Sequence, residues 1–127
     1  MKYKLLIFTI CCSFIMNNEA MSQKSISYLA LGDSYTIGEG VPIAESYPYQ
    51  AVQMLRKKGY NLQAPEIVAK TGWTTGELQT AINGSKFLPF YDVVTLLIGV
   101  NNQYRGNSPE LYADEFESLL KQAIAFA

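Results

Sequence analysis

Three apolar runs follow residue 22, and each gives way to a polar, glycine-containing segment and then to helical spacing. Residues 26–31 (ISYLAL) are apolar and bounded by polar positions, the pattern of a buried strand. A helix is predicted from near Pro48, with proline in its first turn, to Lys58, with Gly59 as its stop. Arg56, Lys57 and Lys58 fall in its last turn, where they suit the helix dipole and read as a solvated face. A second strand is centred on residues 67–69. Thr74 and Glu77 have capping-box spacing, which predicts a helix beginning there and ending by Gly84. Residues 91–99 (YDVVTLLIG) are apolar almost throughout and rich in β-branched side chains, as in a strand buried on both faces of a parallel sheet. After a polar loop, Ser108, Pro109 and Glu110 supply a cap, a first-turn proline and a dipole-matched acid for a third helix. Tyr112, Phe116, Leu119, Leu120 and Ala123 recur along it at helical spacing, a stripe for core packing.

Strand followed by helix, three times over, implies parallel strands joined by right-handed crossovers, with helices on both faces: a three-layer α/β/α arrangement. Such sheets bind ligands beyond the C-terminal ends of their strands. Gly32-Asp33-Ser34, Thr71-Gly72-Trp73 and Gly99-Val100-Asn101-Asn102 each follow a predicted strand, so they are expected along one edge of the sheet.

The N-terminus reads differently. Lys2 and Lys4 precede a short apolar stretch over residues 5–16, and Ala20-Met21-Ser22 has the small residues of a cleavage site. Residues 1–22 are therefore expected to be a secretory signal peptide cut after Ser22, with a secreted or periplasmic product and no stable membrane span. Twelve apolar residues are too few to cross a bilayer. A lipid-anchor signal at Cys11 or Cys12 is the alternative, against which stands the bulk of Ile10. Both cysteines lie in the leader, so residues 23–127 hold no thiol for a disulfide, a nucleophile or a metal.

Charge and composition narrow the chemistry. Ten Lys and Arg against eleven Asp and Glu give −1, which lacks the basic excess for nucleic acid. Histidine is absent from all 127 residues, so the chain carries no imidazole base and no Ser-His-Asp triad of its own. A serine on a tight turn after a strand presents its hydroxyl and its backbone N–H. A glycine brings an N–H close to a bound group, and an asparagine adds a side-chain donor. Together they compose an oxyanion hole for acyl transfer. Gly38-Glu39-Gly40 lacks the third glycine of a dinucleotide fingerprint, and Ser34 is not in a Gly-x-Ser-x-Gly elbow.

Gly32-Asp33-Ser34-Tyr35, Gly72 and Gly99-Val100-Asn101-Asn102, in that order, resemble the blocks of the SGNH, or GDSL, hydrolases. Tyr104-Arg105-Gly106 also looks like the bacterial lysophospholipase and acyl-thioesterase branch. The resemblance implies a flavodoxin-like α/β/α fold, of which residues 23–127 are the N-terminal part, truncated after the third strand-helix unit. It implies Ser34 as nucleophile and oxyanion N–H donor, and Gly72 and Asn101 as the other oxyanion donors. Gly32, Asp33, Gly99 and Asn102 would support the loops. No metal or organic cofactor is implied, and the substrate would be a small-molecule, lipid or carbohydrate ester. The sequence departs from the family at Asn102, where Asp is usual, which puts the support of that loop in question. It also lacks the family's last block, an Asp-x-x-His, so the chain is read as part of a longer protein. The rival reading is a non-catalytic binding module that keeps the same pocket. Trp73 is expected either to wall an acyl pocket or to cover the end of the sheet.

Overall fold

The computed structural model describes residues 23–127. The leader expected over residues 1–22 lies outside the described residues. Three strands, β1 (Tyr28–Gly32), β2 (Glu66–Ala69) and β3 (Val93–Leu97), form one parallel sheet in the order β2-β1-β3. Gly32 at the end of β1 aligns with Ala69 of β2 and Leu97 of β3, so all three strands finish at the same edge. Ile26, expected within the first strand, makes an isolated parallel bridge to Leu62 instead.

The helices are α1 (Ser34–Ile37), α2 (Tyr47–Lys57), α3 (Thr75–Gly84), α4 (Val100–Tyr104) and α5 (Pro109–Phe126). Helix α2 starts with Pro48 in its first turn and stops one residue before its Lys58 cap. Arg56 is not simply solvated: its Nε donates to the Leu62 carbonyl at 2.8 Å, tying the helix to the chain that leads into β2. Thr74 and Glu77 form the expected reciprocal cap on α3. Ser108 accepts the Leu111 N–H at 3.2 Å and starts α5.

β1 is central and wholly buried, and its alternation divides the core in two. Leu29 and Leu31 face α3 and α5, packing with Leu78, Ile82 and Leu119. Tyr28 and Ala30 face the other way, against Val52 of α2 and Leu62. Each fully buried leucine contributes about 2 kcal/mol, so this strand anchors both layers. Burial raises the Tyr28 hydroxyl to about 12; the hydroxyl pairs with Thr95 Oγ1 at 3.0 Å, and Tyr47 reaches the same oxygen at 3.1 Å.

Two expectations from periodicity need correction. β3 is not buried on both faces: Val94 and Leu96 pack inward, but Val93 and Leu97 on the opposite face are 38% and 46% exposed. Its neighbour on one side is β1, and α2 packs over β1 and the Leu62 segment, reaching β3 through the Tyr47 hydroxyl at Thr95 and leaving Val93 and Leu97 uncovered. Within the α5 stripe, Leu119 and Ala123 are buried and Phe116 packs beside them, whereas Leu120 stays outside the buried cluster and is 43% exposed. No described helix is long and apolar enough to cross a membrane.

Candidate active site

A single residue, Asp33, separates β1 from α1, so Ser34 sits at the first helical position just past the strand end. The turn is possible because Gly32 has no side chain. A Cβ there would lie 2.1 Å from Thr36 Oγ1 and 2.5 Å from the Leu97 carbonyl of β3. Asp33 is buried, and its Oδ1 accepts the Tyr35 N–H at 3.0 Å as the cap of α1. Burial raises the Asp33 carboxyl above the usual carboxylate range, and the Tyr35 N–H partly opposes the rise. Through that bond Asp33 holds the turn that carries Ser34.

Gly72 follows β2 in a left-handed conformation (φ 81°), closing a turn with the Trp73 N–H on the Lys70 carbonyl at 3.2 Å. Trp73 is half-buried and packs against the core cluster beneath α3 and α5. Gly99 follows β3 at φ 135°, with the Tyr112 ring so close that a Cβ would meet it at 2.7 Å. The segment after it is a helical turn, α4, rather than the open polar loop expected from its composition.

Ser34, Gly72 and Asn101 therefore follow the C-terminal ends of three adjacent parallel strands, at one end of the sheet. Side chains tie these loops together. Thr71 Oγ1 donates to Glu39 Oε2, joining the loop after β2 to the loop after Ser34. Asn101 Nδ2 donates to the Trp73 carbonyl at 2.9 Å, and its amide nitrogen retains a second N–H. Arg105 Nη2 donates to the Gly72 carbonyl at 2.6 Å while Nη1 faces Glu77 at 3.3 Å. Asn102 is buried and does support its loop: Oδ1 accepts the Thr75 N–H at 3.0 Å, and Nδ2 donates to Thr75 Oγ1 at 2.6 Å. The Thr75 hydroxyl in turn donates to Glu115 Oε2. The amide fits here because this chain of donors needs an N–H at position 102.

Glu39, Thr75, Glu115 and Arg105 carry no local signal of these roles. Their partners are 27 to 40 positions away, except that Arg105 falls in the Tyr104-Arg105-Gly106 segment.

Beside Ser34 opens a pocket of about 290 Å³, lined among others by Tyr35, Glu39, Glu45, Tyr47 and Gln50. Its lining mixes carboxylates, an amide, hydroxyls and aromatic faces, with no Lys or Arg. Among the described residues no cluster of three or more His, Cys, Asp or Glu is arranged to hold a metal.

Comparison with known proteins agrees with this architecture. No curated protein sequence matches the chain. AlinE4, an SGNH-hydrolase family esterase of known structure, is similar at 26% identity and a TM-score of 0.66, over 78% of this chain and 53% of that one. TesA shares the fold at 19% identity and a TM-score of 0.65, over 80% of this chain and 55% of that one. The chain thus spans about half the length of these structures. The GDSL-like Lipase/Acylhydrolase family matches residues 30–127 and takes in all three strand-end segments; with β1, β2 and β3 parallel and Ser34 at the head of α1, this chain belongs to that family.

Proposed function

We propose that Ser34 is the nucleophile of a serine ester hydrolase and that Ser34 N–H, Gly72 N–H and the Asn101 side chain receive the oxyanion. The observation that carries this reading is the meeting of three strand ends at one sheet edge, cross-tied by Asn101 to the Trp73 carbonyl and by Thr71 to Glu39. Ser34 Oγ attacks the ester carbonyl, its proton passes to a base, and the alcohol departs. Water then releases the acid from the acyl-enzyme. The base is an imidazole from outside these 127 residues, none of which is histidine. The substrate class is a carboxylic ester: a lysophospholipid, another acyl ester or an acetylated carbohydrate. Export through a signal peptide ending at Ser22 belongs to the same proposal. Mass spectrometry of the exported protein should find Gln23 at its N-terminus, and an intact leader in the cytoplasm would overturn it.

The test is p-nitrophenyl ester turnover and fluorophosphonate labelling by the complete reading frame that contains these residues. Ser34→Ala should abolish both; unchanged turnover would sink the assignment. The absence of histidine favours a second reading, a binding module that uses the same donors to hold an ester, carboxylate or glycan. A frame that continues past codon 127 into Asp-x-x-His supports the enzyme. A stop codon there supports the binding module.

A further inference from the structure

We propose that Arg105 is a positioning residue for Gly72, which it holds by the carbonyl. The consequence for catalysis rests on the reading of Gly72 N–H as an oxyanion donor; the positioning itself does not. Little but Arg105 approaches Gly72 on the side where a Cβ would stand. The nearest atom to a Cβ built there is Arg105 Nη2, at 3.6 Å, and its left-handed φ is one that a free glycine leaves easily. What holds it comes from one face of α4. Asn101 in α4 and Arg105 at its C-cap are four residues apart, and they bond successive carbonyls: Asn101 that of Trp73 at 2.9 Å, Arg105 that of Gly72 at 2.6 Å. On the other side, Thr71 is tied to Glu39. Gly72 is therefore held on both sides, at its own carbonyl by Arg105 and through the side chain of the preceding Thr71.

Arginine suits the task better than lysine. Its rigid fork places one nitrogen on the Gly72 carbonyl and another 3.3 Å from Glu77. Glu77 is itself fixed, since its Oε2 accepts the Thr74 N–H at 2.8 Å and the Thr74 hydroxyl at 3.0 Å. These bonds, that from the Thr74 N–H foremost, hold the Glu77 carboxyl below its usual range. The guanidinium thus bridges a charged anchor on α3 and the Gly72 carbonyl, which fixes the Gly72–Trp73 peptide directly and, across the Gly72 Cα, the backbone that carries the donor N–H. A displacement of about 1 Å at a catalytic group costs on the order of 100-fold, so a loosened Gly72 has a measurable effect.

The experiment compares Arg105→Met, which keeps the aliphatic stem, with Arg105→Lys in the ¹⁵N-labelled chain, reading amide shifts and order parameters alongside thermal unfolding. Arg105→Met should shift the Gly72 and Trp73 amides and lower the order of Gly72, and Arg105→Lys should recover part of the loss. Gly72 unmoved in Arg105→Met would overturn the proposal, as would loosening spread evenly over α3 and α4. In the complete reading frame, Arg105→Met should lower kcat on p-nitrophenyl esters about 10- to 100-fold with little change in KM. A loosened Gly72 with unchanged kcat would leave Arg105 as its positioner and overturn the oxyanion role of Gly72.

Discussion

Asn102 and Thr75 exchange two hydrogen bonds across 27 positions of chain, the Thr75 N–H donating to Asn102 Oδ1 at 3.0 Å and Asn102 Nδ2 donating to Thr75 Oγ1 at 2.6 Å. Both residues are buried, so neither group has water as a substitute. Asn102→Ala should cost about 1–3 kcal/mol by leaving the Thr75 N–H without an acceptor, measured by urea unfolding. Asn102→Asp keeps that acceptor but removes the donor and adds a buried charge near Glu115. Burial raises the new carboxyl in the folded state, so its penalty grows as pH rises above the ordinary carboxylate value. The variant should approach the parent near pH 4 and fall behind it by pH 8. Equal stability at pH 8 would show that the donor at position 102 is dispensable.

Gly32→Ala should destabilise the chain by overpacking. Its Cβ would sit 2.1 Å from Thr36 Oγ1 and 2.5 Å from the Leu97 carbonyl, a buried place with no room to shift. Overpacking of this kind costs about 1–3 kcal/mol or more, and each kcal/mol lowers the Tm of a domain this size by roughly 4–8 °C. A Tm within error of the parent would mean that β1 and β3 separate easily at their C-terminal ends.

Asp92 links acid stability to the opposite end of the sheet. Lys24 donates to its carboxylate at 2.5 Å, and the Ser27 N–H and hydroxyl donate at 2.9 Å. These bonds, Lys24 first, hold the Asp92 carboxyl at about 2, below its ordinary 3.8. Between those values the folded state binds fewer protons than the unfolded one. The stabilisation is therefore full above about pH 4 and lost as pH falls toward 2. Thermal melts of the parent and Asp92→Asn should differ at pH 6 and converge near pH 2. A constant difference across that range would remove the ionic part of the argument.

Ser34 has no imidazole partner within these 127 residues. A serine protease-like site that loses one triad member keeps roughly 10³–10⁴-fold acceleration over water. Residues 1–127 expressed alone should show at most such a trace of p-nitrophenyl ester turnover and slow labelling by a fluorophosphonate. Asp33 is not a substitute, since it is committed to capping α1. Turnover equal to that of the complete reading frame would show that Ser34 works without histidine.

Local regularities were legible in the sequence because their causes are local. The Thr74–Glu77 cap, the proline starts of α2 and α5 and the apolar run of β1 each depend on residues within a few positions of one another. The order of strands and helices was enough to put Ser34, Gly72 and Asn101 past three strand ends, and parallel pairing then leaves them one common edge. Only the tertiary structure decided which face of β3 stays exposed, because that depends on where α2 lies and not on the run of residues 93–97. It alone decided that Asn102 serves Thr75, that Arg105 reaches Gly72 and that Glu39 meets Thr71. Those contacts join residues 27 to 33 positions apart, and the register of three parallel strands, which no local pattern encodes, is what brings them within hydrogen-bonding distance.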